Sequence, residues 1–340
     1  TGAYILGALL GFGFTELFLL LDWGVAAIAY GLLIRSATVS IVGSLFVAGA
    51  ISRGEIGRPA LRGRLIAYYL KVSPLSALGG MAYSSMGQLE IALAGAILGP
   101  TAALVLSLNR RLAFAGRAFI DIISFSSYGA FGHLASSGSA AHTGFRYRQI
   151  TGLRFGIAAG FVAVFFVVNE SFIRLWVEPS LFGGFWLTVL IGLHLVVTGD
   201  AFLRNYLLRA GGRIVAGSVA ISVEAIVRVA LAVACLRVWG LEAMLLSTIL
   251  VAAAASVWSH RAVLAGIGGD GTGHDPDVSV AGTLVLVLGA VAASVVRADT
   301  WVALVAMAAA ASVLVGSLEL SVSRSLRATG RELFAAFRRR

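Results

Sequence analysis

Residues 152–169 read GLRFGIAAGFVAVFFVVN, a run of eighteen residues in which Arg154 carries the only charge. A helix needs roughly 20 mostly apolar residues to cross the hydrocarbon core of a bilayer, and this run has nearly that length. Lipid cannot hydrogen-bond to exposed backbone groups, so a continuous apolar run predicts a helix rather than an open strand. Similar runs recur along the chain, separated by charges, glycines, prolines and serines.

Ten runs of this kind predict ten transmembrane helices. The ten segments are 3–21, 25–50, 73–96, 100–134, 152–169, 184–203, 214–236, 240–258, 279–296 and 300–318. The composition agrees, because 59% of the 340 residues are hydrophobic and 12% are charged. In soluble domains, about 45–50% of the residues are apolar and about 25% are charged. We therefore expect an all-α polytopic membrane protein.

The basic residues predict the orientation of these helices. One set of alternating loops holds 17 of the 26 Lys and Arg residues. These loops are 51–72, 135–151, 204–213, 259–278 and the segment from 319 onward. The opposite loops hold three, Arg174, Arg237 and Arg297. Because positive loops stay in the cytoplasm, both termini are expected there, and the net charge of +10 does not indicate a nucleic-acid partner.

A short repeat bears on the completeness of the chain. Residues 23–30 read WGVAAIAY and residues 239–246 read WGLEAMLL, 216 positions apart, and each copy opens the returning helix of an outer hairpin. If the copies are equivalent, one repeat holds six helices, and roughly 140 residues with four helices are expected upstream of Thr1. The alternative is that the match is accidental and ten helices form the whole protein. The genomic sequence upstream of Thr1 distinguishes the two.

Four further stretches resemble a known family. They are YLKVSPLSALGGMAYSSMGQLEIAL at 69–93, ILGPTAALVLSLNRRL at 97–112, NESFIRLWVEP at 169–179 and NYLLRAGGR at 205–213. Their order and spacing resemble the second lobe of polysaccharide flippases in the multidrug/oligosaccharidyl-lipid/polysaccharide exporter (MOP) superfamily, which also includes the MATE exporters. The resemblance covers about residues 3–318. It implies a transporter of two six-helix lobes, with two extra C-terminal helices in some members, and it implies that this chain supplies helices five to fourteen.

The resemblance also implies a domain organisation. The expected parts are the last two helices of the N-terminal lobe at 1–50, a cytoplasmic interlobe linker at 51–72, a six-helix C-terminal lobe at 73–262, a linker at 263–278, two extra helices at 279–318 and a basic cytoplasmic tail at 319–340. The tail is either an amphipathic helix on the anionic leaflet or a frayed end.

A polar stripe marks the fourth predicted span. At 100° per residue, its polar side chains fall within about 40° of one line along the helix. These residues are Arg110, Arg117, Asp121, Ser124 and Tyr128. Arg117 and Asp121 are four apart and can pair, whereas Arg110 has no such local partner. The stripe either lines a cargo cavity or joins helices. If it binds cargo, replacing Arg117 is expected to harm folding, and replacing Arg110 is expected to spare it.

Other ionisable side chains lie inside predicted spans, where charges are costly and each is a functional candidate. Tyr83 and Glu90 share a face of the third span. Glu90 either pairs with an arginine of the neighbouring span or takes up a proton. Glu224 and Arg228 are four apart and predict a structural pair, and His194 is either a packed side chain or a proton relay.

The cavity candidates are therefore Arg110, Arg117, Asp121, Tyr128, Glu90 and Tyr83. Arginines suit a diphosphate because guanidinium donates paired hydrogen bonds. The resemblance implies alternating-access export of a polyprenyl-diphosphate-linked oligosaccharide, with membrane lipids and a polysaccharide polymerase or export machinery as further partners. The alternatives are a cation-coupled multidrug exporter of the same superfamily and an intramembrane glycosyl or acyl transferase. The sequence has no metal-ligand spacing and no nucleotide-binding motif, so we expect no metal, no cofactor and no enzyme activity. The bias towards arginine over lysine, with abundant Ala, Val and Gly, suggests a GC-rich bacterial genome. The expected location is the bacterial inner membrane.

The orientation is testable by labelling. Loops 51–72, 135–151 and 204–213 are expected to face the cytoplasm because they carry the arginines. A single cysteine at position 140, in a background lacking Cys235, should react with an impermeant thiol reagent only after the membrane is opened. Labelling of this cysteine from outside intact cells would show that the orientation is opposite to the one expected.

Overall fold

The structure is a computed structural model. It describes residues 2–54, 63–136, 140–267 and 276–322. These ranges contain helices and turns and no strand, so the expected all-α fold is confirmed. Residues 268–275, in the middle of the predicted linker at 263–278, lie outside the described residues, as does the basic tail from 323 onward.

Ten helices make up the described chain, together with a single 3₁₀ turn at Pro179–Leu181. The helices are α1 (Gly2–Leu20), α2 (Val25–Ser52), α3 (Gly63–Leu98), α4 (Pro100–Asn109), α5 (Arg111–Ser136), α6 (Ala140–Trp176), α7 (Phe185–Ala210), α8 (Ile214–Ile267), α9 (Pro276–Ala293) and α10 (Trp301–Val322). Every predicted segment overlaps one of them.

Within the described ranges, five helical stretches are long and apolar enough to cross a membrane. They are Ala29–Ser52, Ala140–Trp176, Phe185–Ala210, Ile214–Ile267 and Trp301–Glu319. This makes the chain compatible with a membrane-embedded protein, and the count of ten spans stays a prediction.

The helices continue further into the basic segments than the sequence indicated. α6 begins at Ala140 and α7 ends at Ala210, so most of the predicted loops at 135–151 and 204–213 is helical. The sequence prediction ends helices at charges, but a helix does not have to stop where its side chains become polar, since its backbone hydrogen bonds are internal. Residues 140–151 of the first predicted loop are therefore helical, and the second is a turn of a few residues between α7 and α8.

The chain divides into two compact units, residues 1–68 and 69–340. In the first unit, α1 and α2 form a hairpin whose backbones approach closely. A Cβ atom at Gly31 would lie 1.7 Å from the Thr15 hydroxyl oxygen, so this position has no room for a side chain. At the turn, the Trp23 ring stacks on Phe18 with 4.7 Å between centroids.

The second unit has its core around α6. Its side chains Val162, Phe165 and Phe166 are buried against Ile191 of α7 and Leu236 of α8. Burying a side chain of this size contributes about 1.5–3 kcal/mol in water. Between helices that are surrounded by lipid, close packing of side chains replaces much of this hydrophobic contribution. Through such packing, α6 holds α5, α7, α9 and α10 in one unit.

The predicted span 100–134 is nearly one helix in the structure. α4 and α5 are separated only by Arg110, which has φ −88° and ψ −7°. The Arg110 amide still donates to the Leu106 carbonyl, and its carbonyl accepts from the Phe114 amide. The polar stripe therefore continues across a local distortion rather than a break.

Four turns share one feature, a glycine at positive φ that precedes the returning helix. These residues are Gly24 (φ 53°), Gly99 (φ 100°), Gly184 (φ 92°) and Gly240 (φ 80°). Gly240 divides α8 into two legs at the turn that the sequence placed at 237–239. A positive φ with an extended ψ is essentially restricted to glycine, so a side chain at these positions strains the backbone.

A pair of glycine substitutions isolates this strain. Gly184 and the helical Gly80 both have open space where a Cβ would be added. Gly184→Ala is expected to destabilise the protein by about 1–3 kcal/mol, whereas Gly80→Ala should be neutral or stabilising by about 0.4–1 kcal/mol. Thermal unfolding of the purified protein in detergent measures both. Equal midpoints for the two variants would contradict the strain at Gly184.

Candidate functional site

A buried ion pair joins α3 to the junction of α4 and α5. The Arg110 Nη2 atom lies 2.5 Å from Glu90 Oε2, and both residues are 1% exposed. Of the two sequence interpretations of Glu90, pairing with an arginine of the neighbouring span is confirmed, and that arginine is Arg110. Arg110 has no carboxylate partner four residues away, as the sequence indicated, but it does pair with a carboxylate on another helix, twenty residues away in sequence.

His194 of α7 completes this cluster. Its Nε2 atom lies 3.5 Å from Glu90 Oε1, and neither atom has a hydrogen-bond partner among the described residues. Glu90 and Arg110 neutralise each other. Buried charges of this kind are tolerated only as pairs, so the cluster ties α3, α5 and α7 together without a surplus of charge.

A second cluster centres on Asp121 of α5. Its Oδ2 atom lies 3.3 Å from Arg117 Nε, as the four-residue spacing predicted. Its Oδ1 atom lies 3.2 Å from Arg154 Nη2 on α6. The Tyr83 hydroxyl on α3 also donates to Oδ2, at 3.2 Å. Two guanidinium groups therefore share one carboxylate, which leaves one positive charge in the cluster.

Tyr83 positions Arg117 through its ring. The Arg117 guanidinium carbon lies 4.6 Å from the Tyr83 ring centroid, within the range of a cation–π contact. On α7, Phe202 stacks against the Tyr83 ring with 3.8 Å between centroids and 14° between planes. Tyr83 is thus fixed by Phe202, and in turn restricts where Arg117 can point.

Arg117 borders two cavities in this unit. One, of about 230 Å³, is lined by Tyr83, Gly87, Gln88, Phe114 and Arg117. The other is small, shares Tyr83, Gly87 and Arg117, and extends to His194, Glu224 and Arg228. The Arg117 side chain is 20% exposed, against 2% for Arg110. Among the predicted arginines of the stripe, Arg117 is therefore the accessible one.

The remaining predicted residues fall into two groups. Asp121 and Glu90 bind the two arginines and do not line these cavities. Tyr128 packs on Tyr206 of α7, with 4.6 Å between ring centroids, and also lies outside both linings. The predicted pair of Glu224 and Arg228 is confirmed and borders the small cavity.

Arg154 is the residue of this site that the sequence did not indicate. It is 2% exposed, and it fits beside α7 because residue 199 is glycine. A Cβ atom at Gly199 would lie 1.8 Å from Arg154 Nη2. The only signal in the sequence was the place of Arg154 just inside an apolar run.

These contacts reverse the expected effects of the two arginines on folding. Arg110→Ala removes the guanidinium that pairs with Glu90. It should destabilise the protein by about 3–5 kcal/mol, the usual cost of leaving one buried charge, here the Glu90 carboxylate, without its partner. Arg117→Ala should cost far less, because Asp121 keeps Arg154. The double variant Glu90→Gln, Arg110→Gln should recover most of the loss, because it removes both charges.

Thermal unfolding and the monodisperse yield of each purified variant measure these effects. Equal losses for Arg110→Ala and Arg117→Ala, or no recovery in the double variant, would contradict the assignment of the pairs.

No protein-family model, no curated protein and no solved structure matches the chain. The resemblance to the MOP superfamily therefore rests on the sequence stretches quoted above. The chemistry of the site rests on its geometry: two neutral pairs, Glu90 with Arg110 and Glu224 with Arg228, and one cluster with an excess positive charge beside a cavity.

Proposed function

We propose that this chain belongs to a membrane transporter that moves a polyprenyl-diphosphate-linked oligosaccharide, a cell-surface polysaccharide precursor, across a bacterial inner membrane by alternating access. In this proposal both termini are cytoplasmic, and the helices correspond to helices five to fourteen of a MOP-type transporter. The resemblance of the quoted stretches to polysaccharide flippases supports the cargo class.

One observation carries the proposal, the excess positive charge at Asp121. Arg117 and Arg154 share this carboxylate, and Arg117 borders the cavity of about 230 Å³. A charge without its own counter-ion favours an anion, and a guanidinium binds diphosphate oxygens through paired hydrogen bonds. The polyprenyl chain of such a cargo can stay in lipid while its headgroup enters the cavity.

The aromatic side chain at the cavity suits a sugar as well as a phosphate. Tyr83 lines the cavity next to Arg117, and Gln88 adds an amide that both donates and accepts hydrogen bonds. Phe114 provides an apolar wall. A cavity with one cation, one amide and two aromatic rings matches a cargo whose headgroup combines charge, hydroxyls and apolar ring faces.

Transport assays on Arg117 test the proposal. Arg117→Ala should lower export by about tenfold or more, since a hydrogen bond to a charged group contributes about 1.5–3 kcal/mol. Arg117→Lys keeps the charge but loses the paired geometry and should be intermediate. The matched control is Arg111→Ala, because Arg111 is an exposed arginine on the same helix.

The measurement is accumulation of lipid-linked oligosaccharide on the cytoplasmic face, in the full-length protein and normalised to protein level. Wild-type export by Arg117→Ala would overturn the cargo assignment. Unchanged or increased efflux of organic cations by the same variant would instead favour a multidrug exporter.

A further inference from the structure

A further cavity of the second unit lies away from the Arg117 site. It measures about 420 Å³, within the range of small-molecule sites. It is bounded by α6, α7, the second leg of α8 and α9. Most of its wall is apolar, with Phe155, Val196, Val257 and Val278 among the lining residues. No residue of the Glu90 and Asp121 clusters lines it.

A hydrogen-bonded polar network forms one end of this cavity. Arg204 Nε lies 2.7 Å from Asp200 Oδ2, and the Ser256 hydroxyl donates to the same oxygen. Arg204 Nη1 donates to the Tyr147 hydroxyl at 3.3 Å, and that hydroxyl lies 2.9 Å from His260 Nδ1. The network joins α6, α7 and α8 and holds the Asp200 and Arg204 side chains against the cavity.

The lining of the cavity changes from polar to apolar side chains along the axes of the helices. α7 ends and α6 and α9 begin at the same end of the bundle, and the polar residues lie nearer to that end. On α6, Thr151 precedes Phe155, and on α7, Val196 precedes Asp200. Arg204 lies about 9 Å before the end of α7 at 1.5 Å per residue, near the headgroup level of a hydrocarbon core about 30 Å thick. The cavity is thus polar near the membrane surface and apolar towards its centre.

The network leaves defined atoms for a ligand. It uses Oδ2 of Asp200 and the Nε and Nη1 atoms of Arg204. Among the contacts of the described residues, Asp200 Oδ1 and Arg204 Nη2 have no partner. Asp200 and Arg204 therefore form an ion pair that lines an apolar cavity and still has hydrogen-bonding capacity. This arrangement complements a headgroup that carries an ammonium and a phosphate a few bonds apart.

We propose that this cavity binds a zwitterionic glycerophospholipid with a primary amine, of the phosphatidylethanolamine type. Its ammonium donates to Asp200, its phosphate accepts from Arg204, and part of one acyl chain lies along Phe155, Val196 and Val257. A lipid with net negative charge fits less well, because it brings no cation for Asp200. A quaternary ammonium keeps the charge but has no N–H to donate.

The proposal is independent of the cargo. The lipid site and the Arg117 cavity share no lining residue. A lipid bound here would join α9 to α6, α7 and α8 and stabilise the second unit, whichever molecule the protein transports. Failure of one proposal therefore leaves the other standing.

Native mass spectrometry of the detergent-purified protein tests the headgroup. The probes are phosphatidylethanolamine, phosphatidylglycerol and phosphatidylcholine with identical acyl chains. Phosphatidylethanolamine should be retained about fivefold or more over phosphatidylglycerol, as one extra charge-assisted contact predicts, with phosphatidylcholine between them. Equal retention of all three lipids by the wild-type protein would overturn the proposal without any variant.

Three variants locate the site. Ala253→Phe fills the cavity and should reduce retention of phosphatidylethanolamine at least tenfold, whereas Ala230→Phe, on an exposed face of the same helix α8, should not. Asp200→Asn preserves hydrogen bonding but removes the charge, and it should abolish the preference for phosphatidylethanolamine over phosphatidylglycerol. Identical behaviour of the two phenylalanine variants, or an unchanged preference in Asp200→Asn, would overturn the assignment.

Discussion

The arrangement of the second unit depends on the compensation of charges placed deep within apolar helices. Asp121 shows this constraint best, since one carboxylate binds Arg117 of its own helix, Arg154 of α6 and the Tyr83 hydroxyl of α3. Ionisable groups at bilayer depth are expensive unless they are paired. Helices that carry them must therefore meet in the one register that brings opposite charges together. Apolar packing around α6 holds the helices together, and the ion pairs fix how they are aligned.

Charge balance also separates structural pairs from a site that can bind an anion. Glu90 neutralises Arg110, and Glu224 neutralises Arg228, so neither pair attracts a further ion. The Asp121 cluster alone among these three has a cation in excess, and its accessible member borders a cavity. Counting arginines in the sequence could not make this distinction. The net charge of each cluster depends on how many guanidinium groups bind to each carboxylate.

The sequence predicted what depends on local spacing and failed where partners are distant. Apolar runs gave the helices, and four-residue spacings gave Arg117 with Asp121 and Glu224 with Arg228. The pair of Glu90 with Arg110 joins two helices, and many registers between them are compatible with the same pattern. The network of Asp200, Arg204 and Tyr147 is not predicted from the sequence, because basic residues near a helix end have the same pattern as a positive loop. The Trp-Gly repeat stays a hypothesis: Gly24 and Gly240 have positive φ, and Gly99 and Gly184 have it too without a preceding tryptophan.

The contact between Gly199 and Arg154 constrains the evolution of the site. Because a Cβ atom at position 199 would collide with the Arg154 guanidinium, any larger residue there requires a shorter side chain at 154 first. That first step removes one of the two cations on Asp121 and leaves a neutral pair. A homologue with a bulky side chain at position 199 is therefore expected to carry a shorter residue at position 154, and its Asp121 cluster is expected to lack the excess positive charge.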